Sequence, residues 1–201
     1  MKKPFRKLHP ADQAKIFRKL DSKAQLSLLK PLEIEEVADL FDELSDEEAL
    51  EAAKYLSLPY LADIVDDMDP DEAADLLGDL SDSKKQRVLS LMDETSDVLP
   101  LLRYPDETAG GRMTTEYLSL HMDTSAENAI QYLRESAPQT DIPYYLFVVD
   151  ENEKLSGVTG LRELVMAKPV DMISKIMNPS VIAIQATSDQ EDAAWLMQHY
   201  D

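Results

Sequence analysis

The chain has 201 residues, 44% of them apolar, no cysteine and a formal net charge of −20, which allows one or two small buried cores and excludes disulfides and thiolate metal sites. Nucleic acid is excluded as a partner, because phosphate binding is driven by clustered Lys and Arg. No apolar run approaches the roughly 18 residues of a membrane span, and with no signal-peptide pattern at Met1 the expectation is a soluble, cytoplasmic piece.

The charge is segregated: residues 1–30 carry +7, residues 31–82 carry −18 with Lys54 as the lone base, residues 83–112 balance, and residues 113–201 carry −9. A repeat runs through the same region, with apolar residues at offsets of four, seven and ten, renewed every twelve residues. Its members are Ala14, Phe17, Leu20; Leu26, Leu29, Leu32; Ala38, Phe41, Leu44; Leu50, Ala53, Leu56; Ala62, Val65, Met68; and Ala74, Leu77, Leu80. Spacings of three and four are helical, and twelve residues hold about two and a half turns plus a corner. Ser45 to Glu48 reads as a capping box, and Asp69, Pro70 and Glu72 suit the N-cap, first and third helical positions. Short helices that bury no core alone must stack, so residues 8 to about 92 are predicted to form a small α-solenoid.

Pro100 and the breaker-rich Tyr104-Pro105-Asp106-Glu107-Thr108-Ala109-Gly110-Gly111 mark a boundary. Beyond it, Tyr117, Leu118 and Leu120 are strand-like, and Thr124 to Glu127 reads as a capping box opening a helix through Ile130 and Leu133. Tyr144 to Val149 and Leu155 to Thr159 read as strands around a turn, and Leu161 to Ala167 as a second helix. A second repeat, offset by 64, matches Met113, Leu118, Leu120, Thr124, Glu127 and Leu133 to Met177, Ile182, Ile184, Ser188, Glu191 and Met197. The second copy stops after its first helix, which suggests a boundary inside a longer protein. The fold class expected is α+β multidomain: an all-α short-helix solenoid, then a β-α-β-β-α module and part of another.

Two tandem β-α-β-β-α copies resemble a CBS pair. The segment Tyr-Pro-Asp-Glu-Thr-Ala-Gly-Gly-Arg-Met-Thr-Thr at 104–115 resembles the linker of MgtE-family magnesium transporters and channels, whose N domain the helical repeat also resembles. The resemblance implies an N-terminal helical domain over 1–103, a linker over 104–113, a first CBS module over 114–170 and the first part of a second over 171–201. It also implies a non-enzymatic regulatory role: the region senses Mg²⁺ at the cytoplasmic face of the membrane and closes to shut a transmembrane pore domain that this chain does not contain. A homodimer through the CBS modules is the expected assembly.

Asp71, Asp75 and Asp79 stand four apart on one predicted helix, with Asp63 and Asp67 repeating the spacing. Like charges four apart are mildly destabilising, by roughly 0.2–0.5 kcal/mol per pair, and a cation relieves them. Mg²⁺ favours hard oxygen ligands and retains several waters. The resemblance matches Asp71, Asp75, Asp189, Glu191, Asp201, Glu36 and Gly111 to family positions at or near bound metal. Glu191 has an alternative role as the N3 member of a capping box with Ser188. For adenosine phosphates such as ATP the resemblance implies Arg162 against phosphate, Glu163 at the acidic position and Tyr145 stacked on the base. The motif carries Gly160 where a hydroxyl residue is usual, and the plain alternative is Tyr145 as core and Arg162 as an exposed helix residue.

The three histidines (His9, His121, His199) are scattered, no Gly-rich phosphate loop is present, and no nucleophile, base and orienter set supports catalysis. Two other readings compete: a soluble adenylate-sensing CBS adaptor with a helical docking domain, and a helical interaction scaffold. Continuation of the gene into apolar spans would select the transporter.

Overall fold

A computed structural model describes residues 4–136 and 145–200. The chain divides into two compact units: Met1–Thr115 with Gln185–Asp201, and Glu116–Ile184.

Seven short helices open the first unit: α1 (Pro10–Phe17), α2 (Ser22–Leu29), α3 (Ile34–Asp42), α4 (Asp46–Ala53), α5 (Leu58–Asp67), α6 (Pro70–Asp79) and α7 (Asp82–Leu89). Their first residues fall at 10, 22, 34, 46, 58, 70 and 82, so the twelve-residue repeat of the sequence is the repeat of the fold. Packing skips one neighbour: α3 lies against α1 and α5, α5 against α7, and α4 against α6. Two rows of helices therefore share one core, as a superhelical stack requires.

Of the eighteen positions in the predicted apolar stripe, only Leu20, Leu26 and Leu50 stay partly exposed. A second stripe, three and six residues into α3, α4, α5 and α6, is buried as well: Val37 and Leu40, Ala49 and Ala52, Leu61 and Ile64, Ala73 and Leu76. The double stripe follows from the packing, because each central helix covers neighbours on two sides.

The caps form where short helices need them. Ser45 Oγ accepts from the Glu48 N–H at 3.4 Å while a Glu48 carboxylate oxygen accepts from the Ser45 N–H at 3.2 Å, closing the predicted box. Glu33 and Glu36 form a second box at the start of α3. Asp69 is the N-cap of α6, with Pro70 first and Glu72 third in the helix.

After α7, 3₁₀ turns at Leu101–Arg103 and Ala109–Arg112 carry the chain across the end of the stack, the former against α6. The helix of residues Gln190–Tyr200 (α11) joins this unit by packing on the turn at Ala109–Arg112.

The second unit is a three-stranded sheet of β1 (Ser119–His121), β2 (Tyr145–Val149) and β3 (Leu155–Gly160), with α8 (Ala126–Ser136), α9 (Leu161–Met166) and the short α10 (Ile173–Ile176). β1 runs parallel to β2, and β2 antiparallel to β3. Leu118, Leu120, Leu146, Val148, Ala129, Leu133, Leu164 and Ile173 form its core. The β-α-β-β-α order read from the sequence is present; the Tyr144 end of the second strand and residues 137–143 lie outside the described residues.

Three local expectations differ. α8 starts at Ala126, and Ser125 Oγ rather than Thr124 accepts from the Asn128 N–H, at 3.3 Å, so the cap sits one residue later than predicted. Ile182 and Ile184 form no strand and stay exposed. In the first module β1 is held by pairing with β2, and residues 171–201 contain no counterpart of β2. Likewise Glu191 does not close a box with Ser188: the Ser188 N–H donates to the Gln185 carbonyl at 2.9 Å.

Candidate metal centre

Asp71, Asp75 and Asp79 occupy successive turns of α6 because four residues are about one turn, and Ala73, Ala74, Leu76 and Leu77 fix the helix from the buried side. The three carboxylates line a cavity of about 220 Å³ with Lys85, Tyr104, Asp106, Gly111 and Met113. An adjoining cavity of about 40 Å³ is bounded by Asp46, Asp75, Asp79, Asp106 and Arg112.

The far wall is the breaker-rich segment, and its backbone is pinned. Thr108 Oγ1 donates to the Pro105 carbonyl at 2.7 Å and accepts from the Gly111 N–H at 3.2 Å. The Ala109 and Gly110 N–H groups donate to the Ser188 and Ala186 carbonyls at 2.8 and 2.7 Å, and the Gln190 N–H donates to the Glu107 carbonyl at 2.9 Å. Glycine is required at both central positions. A Cβ on Gly110 would lie 2.5 Å from the Tyr104 ring and 2.9 Å from the Ala186 carbonyl oxygen, and one on Gly111 would lie 2.5 Å from the Pro105 carbonyl oxygen and 2.8 Å from the Asp106 Cα.

The electrostatics are unfavourable to anions. Burial, then the Asp46 charge, pushes the Asp75 carboxyl above its usual range, and Arg112 only partly offsets this. Burial, then Asp71 and Asp75, pushes Glu72 up in the same way. Asp75 is paired with the Arg112 guanidinium at 3.5 Å, and Arg112 Nε donates to Gln190 Oε1 at 3.0 Å.

Asp71, Asp75 and Gly111 are thus brought to one cavity, joined by Asp79 and Asp106, neither of which was among the predicted ligands. The repeat of four pointed to Asp79; nothing in the sequence ties Asp106 to α6. Glu36 lies elsewhere: it caps α3 and pairs with Arg6 at 2.7 Å, a contact that, with the Glu33 backbone N–H, holds its carboxyl below the usual range. Asp189 is turned to its own helix, its Oδ1 accepting from the Glu191 N–H at 2.8 Å, and Glu191 is exposed. Asp201 lies outside the described residues.

Among the described residues no three carboxylate or histidine side chains converge closely enough to ligate one ion directly. The donor set fits a hydrated divalent cation, since Mg²⁺ keeps several of its waters and uses one or two carboxylates. A positive group already rests on this wall, namely the Arg112 guanidinium.

In the second unit, the register Tyr145↔Gly160 puts Tyr145 next to the residue that opens α9, where Arg162 and Glu163 occupy the first turn. Tyr145 is 64% exposed and so is not core. Arg162 and Glu163 are exposed. Thr159 is buried with its hydroxyl unpartnered.

Comparison with known proteins agrees with this organisation. Residues 8–107 match the MgtE intracellular N domain and residues 109–169 the CBS domain. The magnesium transporter MgtE of Thermus thermophilus is 40% identical over 118 residues, 58% of this chain and 26% of that protein. That of Bacillus subtilis is 29% identical over 196 residues, 96% of this chain and 44% of that protein. The chain therefore spans less than half the length of these relatives. A crystal structure of the soluble part of a magnesium transporter superposes with a TM-score of 0.88 at 35% identity, covering 98% of this chain and 78% of that one. The cytosolic domain of the Mg²⁺ channel MgtE in complex with ATP superposes with a TM-score of 0.90 at 33% identity, covering 98% and 82%. With an N domain and a CBS domain matched in order and a related cytosolic domain of MgtE covered over most of its length, the chain belongs to the MgtE family.

Proposed function

We propose that this chain is the cytosolic Mg²⁺-sensing regulatory region of a magnesium transporter or channel, and that binding of Mg²⁺ draws its helical domain and CBS region together and so favours a closed pore in the intact protein. The observation that carries the reading is the cavity where Asp71, Asp75 and Asp79 of α6 meet Asp106 and Gly111 of the linker. Carboxylates from two segments face one another there without enough positive charge to balance them, and a hydrated divalent ion supplies it. Water-mediated sites bind weakly, which suits a sensor of an abundant ion, because a tight site would always be filled. Metal that favours the closed arrangement can raise its population only by its differential affinity for it.

Asp189, Glu191 and Asp201 belong to this proposal as the contribution of the second CBS copy, and Glu36 as a residue that must leave Arg6 before it can serve. Tyr145 and Arg162 are proposed to hold the base and the phosphates of ATP, with Glu163 at the acidic position of the same site, by analogy with the ATP complex of the related cytosolic domain. Homodimerisation through CBS modules completes the proposed assembly.

Calorimetric titration of the chain with MgCl₂ at fixed ionic strength, paired with small-angle scattering, tests the metal reading. Saturable heat and a smaller radius of gyration, both lost in the double variant Asp71→Asn plus Asp75→Asn, are expected. An equal contraction on adding KCl would reduce the effect to charge screening and refute specific binding.

A further inference from the structure

Arg112 stands at the only ion pair that the described residues make with a carboxylate of the α6 cavity: its guanidinium lies 3.5 Å from Asp75 Oδ2. The same side chain donates from Nε to Gln190 Oε1 in the first turn of α11 at 3.0 Å. Lys85, the base that lines the larger cavity, donates to the Gly78 carbonyl at 3.2 Å instead. Arg112 thus bridges α6 and α11 from near the end of a linker whose backbone is pinned by hydrogen bonds at Thr108 to Gly111.

We infer that Arg112 is a tethered counter-ion that occupies the cation's place on Asp75, so that a divalent ion must displace it, and that the displacement is passed to α11 through Gln190. The inference rests on the Mg²⁺ reading above and adds its regulation. A guanidinium and a divalent cation cannot both neutralise Asp75 at close range without repelling each other. The tether makes Arg112 a competitor at constant local concentration, which weakens the site and moves its response toward higher Mg²⁺. Half-exposed ion pairs are weak, so the competition is of a size that cation binding can overcome. Once released from Asp75, Arg112 keeps Gln190 as its partner, and α11 is no longer linked through it to α6.

The chain carries its own reporter. Trp195, its single tryptophan, lies on α11 stacked on His199 with ring centroids 4.8 Å apart. The experiment is a MgCl₂ titration at fixed ionic strength, read by calorimetry and by Trp195 fluorescence, in the wild type, Arg112→Gln and Arg112→Lys. Arg112→Gln should bind Mg²⁺ about two- to five-fold more tightly, as removal of an exposed ion pair implies, with the Trp195 response to Mg²⁺ diminished. Arg112→Lys keeps the charge but not the forked geometry, and should restore the wild-type midpoint without restoring the fluorescence response. Saturable heat with the same midpoint in wild type and Arg112→Gln would overturn the counter-ion role while leaving the Mg²⁺ site standing. Weaker binding in Arg112→Gln would make Arg112 a support of the site and equally overturn it. Absence of saturable heat in all three proteins would overturn the Mg²⁺ reading itself, and this inference with it.

Discussion

Asp42 offers a direct test of the packing of the acidic helices. It is the last residue of α3 and faces the start of α6, where the Asp69 backbone N–H donates to its carboxyl; one of its oxygens, Oδ1, is buried without a partner. Burial, then the charges of Asp69 and Glu72, pushes its pKa from the ordinary 3.8 up to about 8, with Asp39 adding a smaller repulsion. Between those values the folded state holds a proton that the unfolded chain has released. Stability contributed by a raised carboxyl pKa is therefore complete below about pH 4 and declines as pH rises toward 8. At about 1.4 kcal/mol per pH unit the full interval corresponds to roughly 6 kcal/mol. The carboxyl is partly open to water, and screening reduces the figure to about 2 kcal/mol.

Asp42→Asn keeps an acceptor for the Asp69 N–H and removes the titration. Urea unfolding followed by far-UV circular dichroism across pH 4 to 8 should show the variant nearly equal to wild type at pH 4 and about 2 kcal/mol more stable at pH 8. A gain independent of pH would refute the reasoning, because the carboxyl's ionisation would then carry none of it. A loss at pH 8 would show that the ionised form makes a favourable interaction in the native protein.

Two further outcomes follow from local geometry. Gly111→Ala places a methyl group against the Pro105 carbonyl and Asp106 Cα, so it should cost about 1–3 kcal/mol and weaken Mg²⁺ binding by displacing Asp106, measured by urea unfolding and calorimetry; unchanged affinity would separate the linker backbone from the site. Ser45→Ala removes one half of the capping box that opens α4 and should cost about 1 kcal/mol with Mg²⁺ binding unaltered; a change in Mg²⁺ midpoint would show that α4 is coupled to the cavity through its first residue, Asp46.

The solenoid was legible because its repeat is strict. Each helix begins twelve residues after the last, and the apolar offsets of four, seven and ten recur at nearly every copy, so periodicity alone located the core of Phe17, Phe41, Val65 and Leu77. The second stripe through Leu40, Ile64 and Leu76 is not legible in the same way, since a single amphipathic face satisfies the pattern and only packing against two neighbours demands another. Strand formation at Ile182 and Ile184 failed for the converse reason: the local pattern repeats that of β1, but a strand exists only by pairing.

The acidic site divides along the same line between local and non-local information. Asp71, Asp75 and Asp79 were visible as one turn after another of a single helix, and Gly111 through the linker motif; Asp106 and Arg112 enter the site because the linker folds back on α6, which no spacing within either segment encodes. Asp42 is the sharper case. In a block of nineteen acids it is indistinguishable from Asp39 or Asp46, yet the approach of α6 to the end of α3 makes it the carboxyl held neutral. Composition supplied the repulsion that runs through residues 31–82, whereas tertiary packing decides where it is relieved: by a proton on Asp42, by a guanidinium on Asp75 and, in the function proposed above, by a cation where carboxylates from two segments meet with too few bases between them. A divalent ion acting at the α6 cavity must then compete with the guanidinium, so its effect should weaken where Arg112 is held on Asp75.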